Sequence, residues 1–506
     1  MKKTRIKYLT IAFVTASFFL ITNCDEKTGK SGKVNSLLAN LALTGVNETS
    51  STVENIGIAQ TRALVSPITG ATRSNFVKSE IQAANSFITD ASIRSAKYAD
   101  MKVSSFDFYR ATAHLYYKDL QSGIIAVPSL WKNTSGTKTW IQGDLHTLNI
   151  GFFDNDSGTV KLDVNDFDES YVAPFYWDLI RLVGSIFLQR NQVGFNFSLT
   201  EARASADSFL QEYQDTLTAV NGNSSETTME LVSSNTDGIT KIKIQDLASS
   251  KSNSTLLAKW TVTPSGNRIF DLTNPDLTTI TTSEWSDVQT GWNNYLTSLG
   301  SFYTSKGASY FTIKDKVKRL NSGLGSQGVK KYYLLLQGTS SSNSDDILLE
   351  IKEQKLPSLF LEGSLSTATY NSWFSTHATR SKTALKALLV NADNFSGAIN
   401  GTSYSYIVRK MSPYKYGFEP KDFTSKSDLN NYLKYAARAI AYAHSRSDKD
   451  YSSTYINYNF ENSALNAVSA WPSTKSTIRD IGESYANQAE VDYNYFVSLV
   501  NSGQIF

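Results

Sequence analysis

The sequence predicts an α+β fold in two lobes, one mainly helical and one of mixed strands. Three observations lead there. Apolar residues recur at three- and four-residue spacings over 76–97, 106–120 and 200–220, the period of an amphipathic helix. Strand-like runs flank an acidic turn between Trp140 and Asp178. Within Val317 to Gly338, a glycine-rich loop from Gly323 to Gly328 lies between two further strand-like runs.

At 506 residues the chain is long enough for two or three domains. Its 41% hydrophobic and 19% charged residues are an ordinary globular composition, which sets disorder aside as the default. The formal charge of +3 includes Lys2, Lys3, Arg5 and Lys7; without them 45 basic residues face 46 acidic ones, and no nucleic-acid footprint remains. Those four form the basic start of a secretory signal over residues 1–23, whose apolar run from Tyr8 to Ile21 is too short to span a bilayer. Cys24 is the only cysteine, so it serves no intrachain disulfide. Ile21-Thr22-Asn23-Cys24 resembles a bacterial lipobox, which implies lipidation of Cys24 and membrane anchoring through it. Residues 24–75, rich in Lys, Ser, Thr, Gly and Asn, read as a flexible tether holding an exported bacterial lipoprotein to a periplasmic or cell-surface membrane face.

Two amphipathic helices follow, Phe76 to Lys97 and Phe106 to Leu120. In the second, Arg110 and His114 lie four apart and share a face. Arg110 suits an ion pair or a phosphate; His114 suits the core. Next come a strand (138–142), a loop (143–151), a strand (159–164), an acidic turn (165–169) and a helix from about Tyr176. Phosphoryl transfer needs a carboxylate to orient the acceptor and oxygen ligands to hold magnesium on the phosphates. Asp144, Asn149 and Asp166 supply that set, with a hairpin return bringing Asp166 beside the loop.

GDLHTLN, then NDFDE, then WDLIRL resembles the catalytic segment of protein-kinase-like phosphotransferases, in particular the aminoglycoside and choline kinase branch. The resemblance implies Asp144 as catalytic base, Asn149 and Asp166 as metal ligands, Asp178 as the buried aspartate bracing the catalytic loop, and His146 as a loop-shaping residue. Asp163 and Asp168 compete with Asp166, which is preferred because it stands twelve residues before Asp178. FDFYRATAHLYYKDL, QGDLHTLNIGFF, LDVNDFDESYVAPFYWDLIRL, RLNSGLGSQG, LLEIKEQ, YSYIVRKM and AYAHSRSD also resemble the bacterial domain-of-unknown-function family 2252, which implies a fold and cofactor more than a reaction.

Downstream, helices are expected over 178–190 and 200–220, a β-hairpin insertion within 221–282, and helix again over 283–306. Gly323, Gly325 and Gly328 fit a glycine-rich loop between strands, whose backbone could approach phosphates. The strand in DDILLEIKEQ presents Lys352 as the nucleotide-phosphate lysine, with Lys355 a lesser candidate; Glu350, Glu353 and Glu362 are the available partners for Lys352. A helix over 381–389, a strand over 403–411, a helix ending at His444 and Arg446, and a last helix over 475–500 complete the chain. In kinases the glycine loop and lysine precede the catalytic loop; here they follow it, so the resemblance implies a circular permutation. The expected division is a helical lobe (76–310), a nucleotide-binding lobe (311–415) and C-terminal helices (416–506) packing on the first. ATP and Mg2+ are expected between the lobes, for phosphoryl or nucleotidyl transfer to an unknown acceptor. The alternative expectation is an inactive kinase-like lipoprotein serving as a ligand-binding or interaction module.

Overall fold

The computed structural model describes residues 66–506 except 134, 321–322 and 468–469. The predicted signal, Cys24 and most of the predicted tether lie outside the described residues. The fold is mixed α+β, with helix dominant and several small sheets.

Five helices come first: α1 (Ala71–Ala84), α2 (Ala91–Met101), α3 (Ser105–Arg110), α4 (Ala113–Ser122) and α5 (Ser129–Asn133). The predicted tether ends early, because α1 starts at Ala71 and buries Arg73 against Asp119 and Asp492. Each of the two predicted helices is split in two. Asp90 breaks the first by accepting the Ser92 and Ile93 N–H groups and capping α2. In the second, Thr112 turns its hydroxyl onto the Phe108 carbonyl at 2.7 Å.

The central stretch folds as β1 (Lys138–Ile141), β2 (Ile150–Asp154), β3 (Val160–Val164) and β4 (Tyr171–Pro174). Strand β1 pairs antiparallel with β4, and β2 with β3. Helix α6 (Tyr176–Leu188), all of it buried, and α7 (Leu199–Val220) follow. The expected β-hairpin insertion is mostly helical instead: α8 (Gly238–Ser250) and α9 (Asn253–Trp260) precede two-residue strands β5 (Thr261–Val262) and β6 (Ile269–Phe270). KIKI lies inside α8, where Thr240, Ile244 and Leu247 are buried at four- and three-residue spacing, so helical burial prevails over a short alternation.

The rest comprises β7 (Leu277–Thr279), α10 (Thr282–Ser298), α11 (Ser301–Lys306), β8 (Ile313–Arg319), β9 (Lys331–Leu336), β10 (Ile347–Glu353), α12 (Thr367–Trp373), α13 (His377–Leu388), β11 (Gly397–Asn400), β12 (Ser405–Lys410), α14 (Lys426–Arg446), α15 (Lys449–Ser452), α16 (Phe460–Ala467) and α17 (Trp471–Asn501). An antiparallel six-stranded sheet runs β11-β12-β10-β9-β8-β7. Its back is covered by Val288, Trp292 and Tyr295 of α10 against Tyr332, Leu334, Leu349 and Ile351. The sheet and its cover thus draw on residues before 311, earlier than the expected boundary. Conversely, Ala384, Leu385 and Leu388 of α13, within 311–415, enter the main core with α6, α7, α14 and α17. Among the described residues no helix is long and apolar enough to cross a membrane.

Candidate functional site

The loop after β1 is held from beneath. Asp178, 1% exposed on the first turn of α6, accepts the Gln142 N–H at 2.7 Å and the Gly143 N–H at 2.9 Å. His444 Nε2 lies 3.3 Å from the same carboxylate, and its Nδ1 2.9 Å from the Tyr213 hydroxyl. His444 therefore stands one layer behind the loop, while Arg446 reaches Asp163 at 3.5 Å and three backbone carbonyls. Gly143 has φ +88°, and a Cβ there would lie 2.2 Å from the Glu169 carbonyl oxygen. Gly143→Ala is accordingly expected to cost at least about 2 kcal/mol in urea unfolding, since positive φ and a backbone clash combine. Gly158→Ala, at φ +80° with open space around it, isolates the conformational part; equal costs for the two would overturn the clash argument.

Gln142 joins the two halves of the acidic cluster. Its Oε1 accepts the Asp144 N–H at 2.8 Å, and its Nε2 donates to the Asp166 carbonyl at 2.5 Å. Asp144 Oδ1 accepts from Arg181 Nε at 2.7 Å and Nη2 at 2.5 Å. Arg181 is fully buried, its guanidinium 4.3 Å from the Tyr109 ring centroid. Burial pushes the Asp144 carboxyl up to about 6 against the pull of Arg181. Asn149 donates its Nδ2 to the Asp144 carbonyl at 2.9 Å, and its Oδ1 has no hydrogen-bond partner among the described residues. His146 sits 4.0 Å from Asp144; burial, with Arg110 and Arg181 nearby, drives it well below the usual histidine range, so it is neutral. Arg110 pairs with Asp107 at 3.0 Å on α3. His114 is buried in the core, as expected, and burial lowers it to about 3.

Asp166 takes a left-handed backbone, φ 58° and ψ 79°, and starts the acidic turn. Its Oδ1 lies 3.2 Å from Lys352 Nζ, which also meets Asp168. Burial would raise the Asp166 carboxyl, but Lys352, Arg409 and Lys415 outweigh it and hold it below the usual range. Lys352 is only 4% exposed; burial would lower it, but the two aspartates push it up. Asp163 is separate, engaged with Lys161 at 3.3 Å and with Arg446. Arg380, fully buried on α13, pins the turn by donating to the Ser170 and Asp168 carbonyls at 2.6 Å each. Glu169 accepts from the Ser358 N–H, and burial with nearby Asp144 raises it to about 7.

Lys352 belongs to a charged face of the sheet. Glu350, two residues earlier on β10 and so on the same face, pairs with Arg409 at 2.8 Å and Lys331 at 3.4 Å. Among the described residues no glutamate pairs with Lys352: Glu353 accepts the Lys330 N–H, and Glu362 binds Ser364. The glycine-rich loop joins β8 to β9 and rests on the N-terminal helices. Leu324 is buried among Val77, Tyr98 and Phe108, and a Cβ on Gly328 would lie 2.6 Å from Ile88. Gly323 has nothing within 4 Å of its missing Cβ, and Gly325 only the Arg110 carbonyl at 3.8 Å. The structure thus brings together Asp144, Asn149, His146, Asp166, Asp168, Asp178 and Lys352.

A family model described as an uncharacterized protein conserved in bacteria (DUF2252) matches residues 90–499. The chain belongs to the DUF2252 family. Neither the curated proteins nor the solved structures yield a match. In this DUF2252 chain, sequence reasoning passed over Gln142, Arg181 and Arg380. Arg181 had a signal: it is a charge inside the otherwise apolar run that begins WDLIRL, and a buried charge requires a partner. Gln142 and Arg380 act through backbone N–H and carbonyl groups, which no residue pattern announces. No cluster of three or more His, Cys, Asp or Glu suited to a metal ion occurs among the described residues. The available donors are an amide oxygen and one or two carboxylates, a set that suits Mg2+, which completes its octahedron with phosphates and water.

Proposed function

We propose that this DUF2252 protein is a kinase-like phosphotransferase that uses ATP and Mg2+, with the kinase fold circularly permuted. The observation that carries the reading is the contact of Lys352 with Asp166 and Asp168, which joins a strand lysine beside a glycine-rich loop to the acidic turn. In kinases those same elements hold the nucleotide phosphates and their metal. The permutation draws support from the end of α14, where the His444 carbonyl accepts from Thr139 at 2.7 Å, so that helix ends beside the strand leading into the Asp144 loop.

Asn149 and Asp166 would hold the metal, which when bound neutralises charge on the transferring phosphoryl group. Lys352 would leave the aspartates for the phosphates. Asp144 would accept the proton of the acceptor hydroxyl through Oδ2, since Arg181 occupies Oδ1. Cys24 would anchor the enzyme to a membrane.

Thermal unfolding with ATP, with and without Mg2+, tests this. Wild type is expected to gain about 2.7 kcal/mol at a hundred-fold excess over Kd, with Lys352→Met and Asp166→Ala losing most of it. No ATP-dependent gain in wild type would overturn the proposal. A second reading, a module that binds a ligand or partner without turnover, is favoured by one observation: Glu350 is committed to Arg409 and Lys331, so Lys352 lacks the glutamate that active kinases provide.

A further inference from the structure

Beside the acidic cluster lies a group of basic side chains that form no ion pair among the described residues, although Glu353 is close enough to act on Lys355. Lys97 on α2 is 4% exposed, yet none of the described residues gives its ammonium a hydrogen bond or a carboxylate. It lies 6.0 Å from the centroid of the Phe87 ring, and Lys355 Nζ lies 2.8 Å from the same centroid. Lys355 makes no ion pair among the described residues either. His114, 7% exposed on α4, has a buried Nε2 without a partner. Burial, and then Lys355, lowers Lys97 to about 8; burial also brings Lys355 to about 8, against the pull of Glu353. Burial, with Lys97 and Arg181 close by, keeps His114 neutral.

Lys97 is buried and Lys355 half-buried, and apart from the Phe87 ring neither ammonium has a partner among the described residues, so an anion would complete them. Its position says which anion. Gln354, next to Lys355, donates to Asp168 at 2.8 Å, and Tyr117, one turn beyond His114, donates to the Gly143 carbonyl at 2.5 Å. Gly328 packs on Ile88, next to Phe87. The group therefore borders the glycine-rich loop, the acidic turn and the Asp144 loop at once.

We propose that Lys97 and Lys355, both beside the Phe87 ring, form with His114 Nε2 a subsite for an oxyanion group, phosphate or carboxylate, on the acceptor that Asp144 orients. This rests on the phosphotransferase reading, and it makes the acceptor an anionic hydroxyl compound. The two ammoniums supply charge, and the neutral imidazole supplies an N–H.

The test is calorimetric titration of inorganic phosphate, and separately of acetate, into the full chain, with and without saturating Mg2+ and a non-hydrolysable ATP analogue. Saturable binding of one anion is expected, weakened about ten-fold or more in Lys97→Met and in Lys355→Gln. Lys97→Met removes an unpaired buried charge, so its thermal midpoint should not fall. The anion that binds names the acceptor's group. No saturable binding of either, or affinities unchanged in both variants, overturns the subsite. Lysine-dependent anion binding in a protein that ignores the nucleotide upholds the subsite and removes the kinase reading; nucleotide binding without anion binding does the reverse.

Discussion

Arg181→Met is expected to destabilise the protein by about 3–5 kcal/mol at pH 8, since it leaves the Asp144 carboxylate without its buried partner. Methionine suits the space between the Tyr109 and Tyr116 rings, which now hold the guanidinium at 4.3 and 5.4 Å, so packing loss is a lesser part. The cost should shrink at pH 5. Burial already lifts Asp144 to about 6 with Arg181 present; without it the carboxyl climbs further and takes up a proton at pH 5. Urea unfolding at both pH values measures this, and Arg181→Met with Asp144→Asn should recover stability at pH 8. An equal cost at pH 5 and pH 8 would sink the argument.

For turnover, Asp144→Asn is the decisive substitution. It is expected to slow Mg-ATP turnover, with water as acceptor, by about 10² to 10⁴-fold while leaving nucleotide binding intact. Wild-type rates should fall below about pH 6 as the carboxyl protonates, and that acid limb should vanish in the variant. Stability gives an independent check on the same group. Its pKa rises from 3.8 unfolded to about 6 folded, so its stabilising contribution is full below pH 3.8 and is lost as pH rises through 6. Relative to Asp144→Asn, wild type should therefore lose stability between about pH 4 and 6 and stay level above. A limb that persists in Asp144→Asn would assign it to another group, Glu169 first.

The site was legible where function depends on side-chain identity and close spacing. Asp144, Asn149, Asp166 and Asp178 stand within one stretch, and the β2–β3 hairpin returns the acidic turn to the loop as its length implies. Lys352 was legible too, because a lone lysine in an apolar strand must meet an anion. Its partner was not: Glu350 faces Arg409 and Lys331, Glu353 accepts the Lys330 N–H, and the counter-charge comes from Asp166 and Asp168. The helical insertion was missed because KIKI alternates over four residues, too few to separate a strand from one turn of helix. The splits at Asp90 and Thr112 depend on local hydrogen bonds, an N-cap at Asp90 and a hydroxyl turned back onto a carbonyl at Thr112, that leave the apolar period almost unbroken.

The separation of 186 positions from Asp166 to Lys352 also sets a schedule. On a ribosome adding about 5–20 residues per second, the acidic turn emerges about 10–40 s before the lysine that neutralises it. Helix α17, which packs on α6 beneath the Asp144 loop, arrives last of all. A nascent chain thus carries the Asp166 and Asp168 carboxylates before the lysine that neutralises them, and before the helix that packs beneath the neighbouring loop.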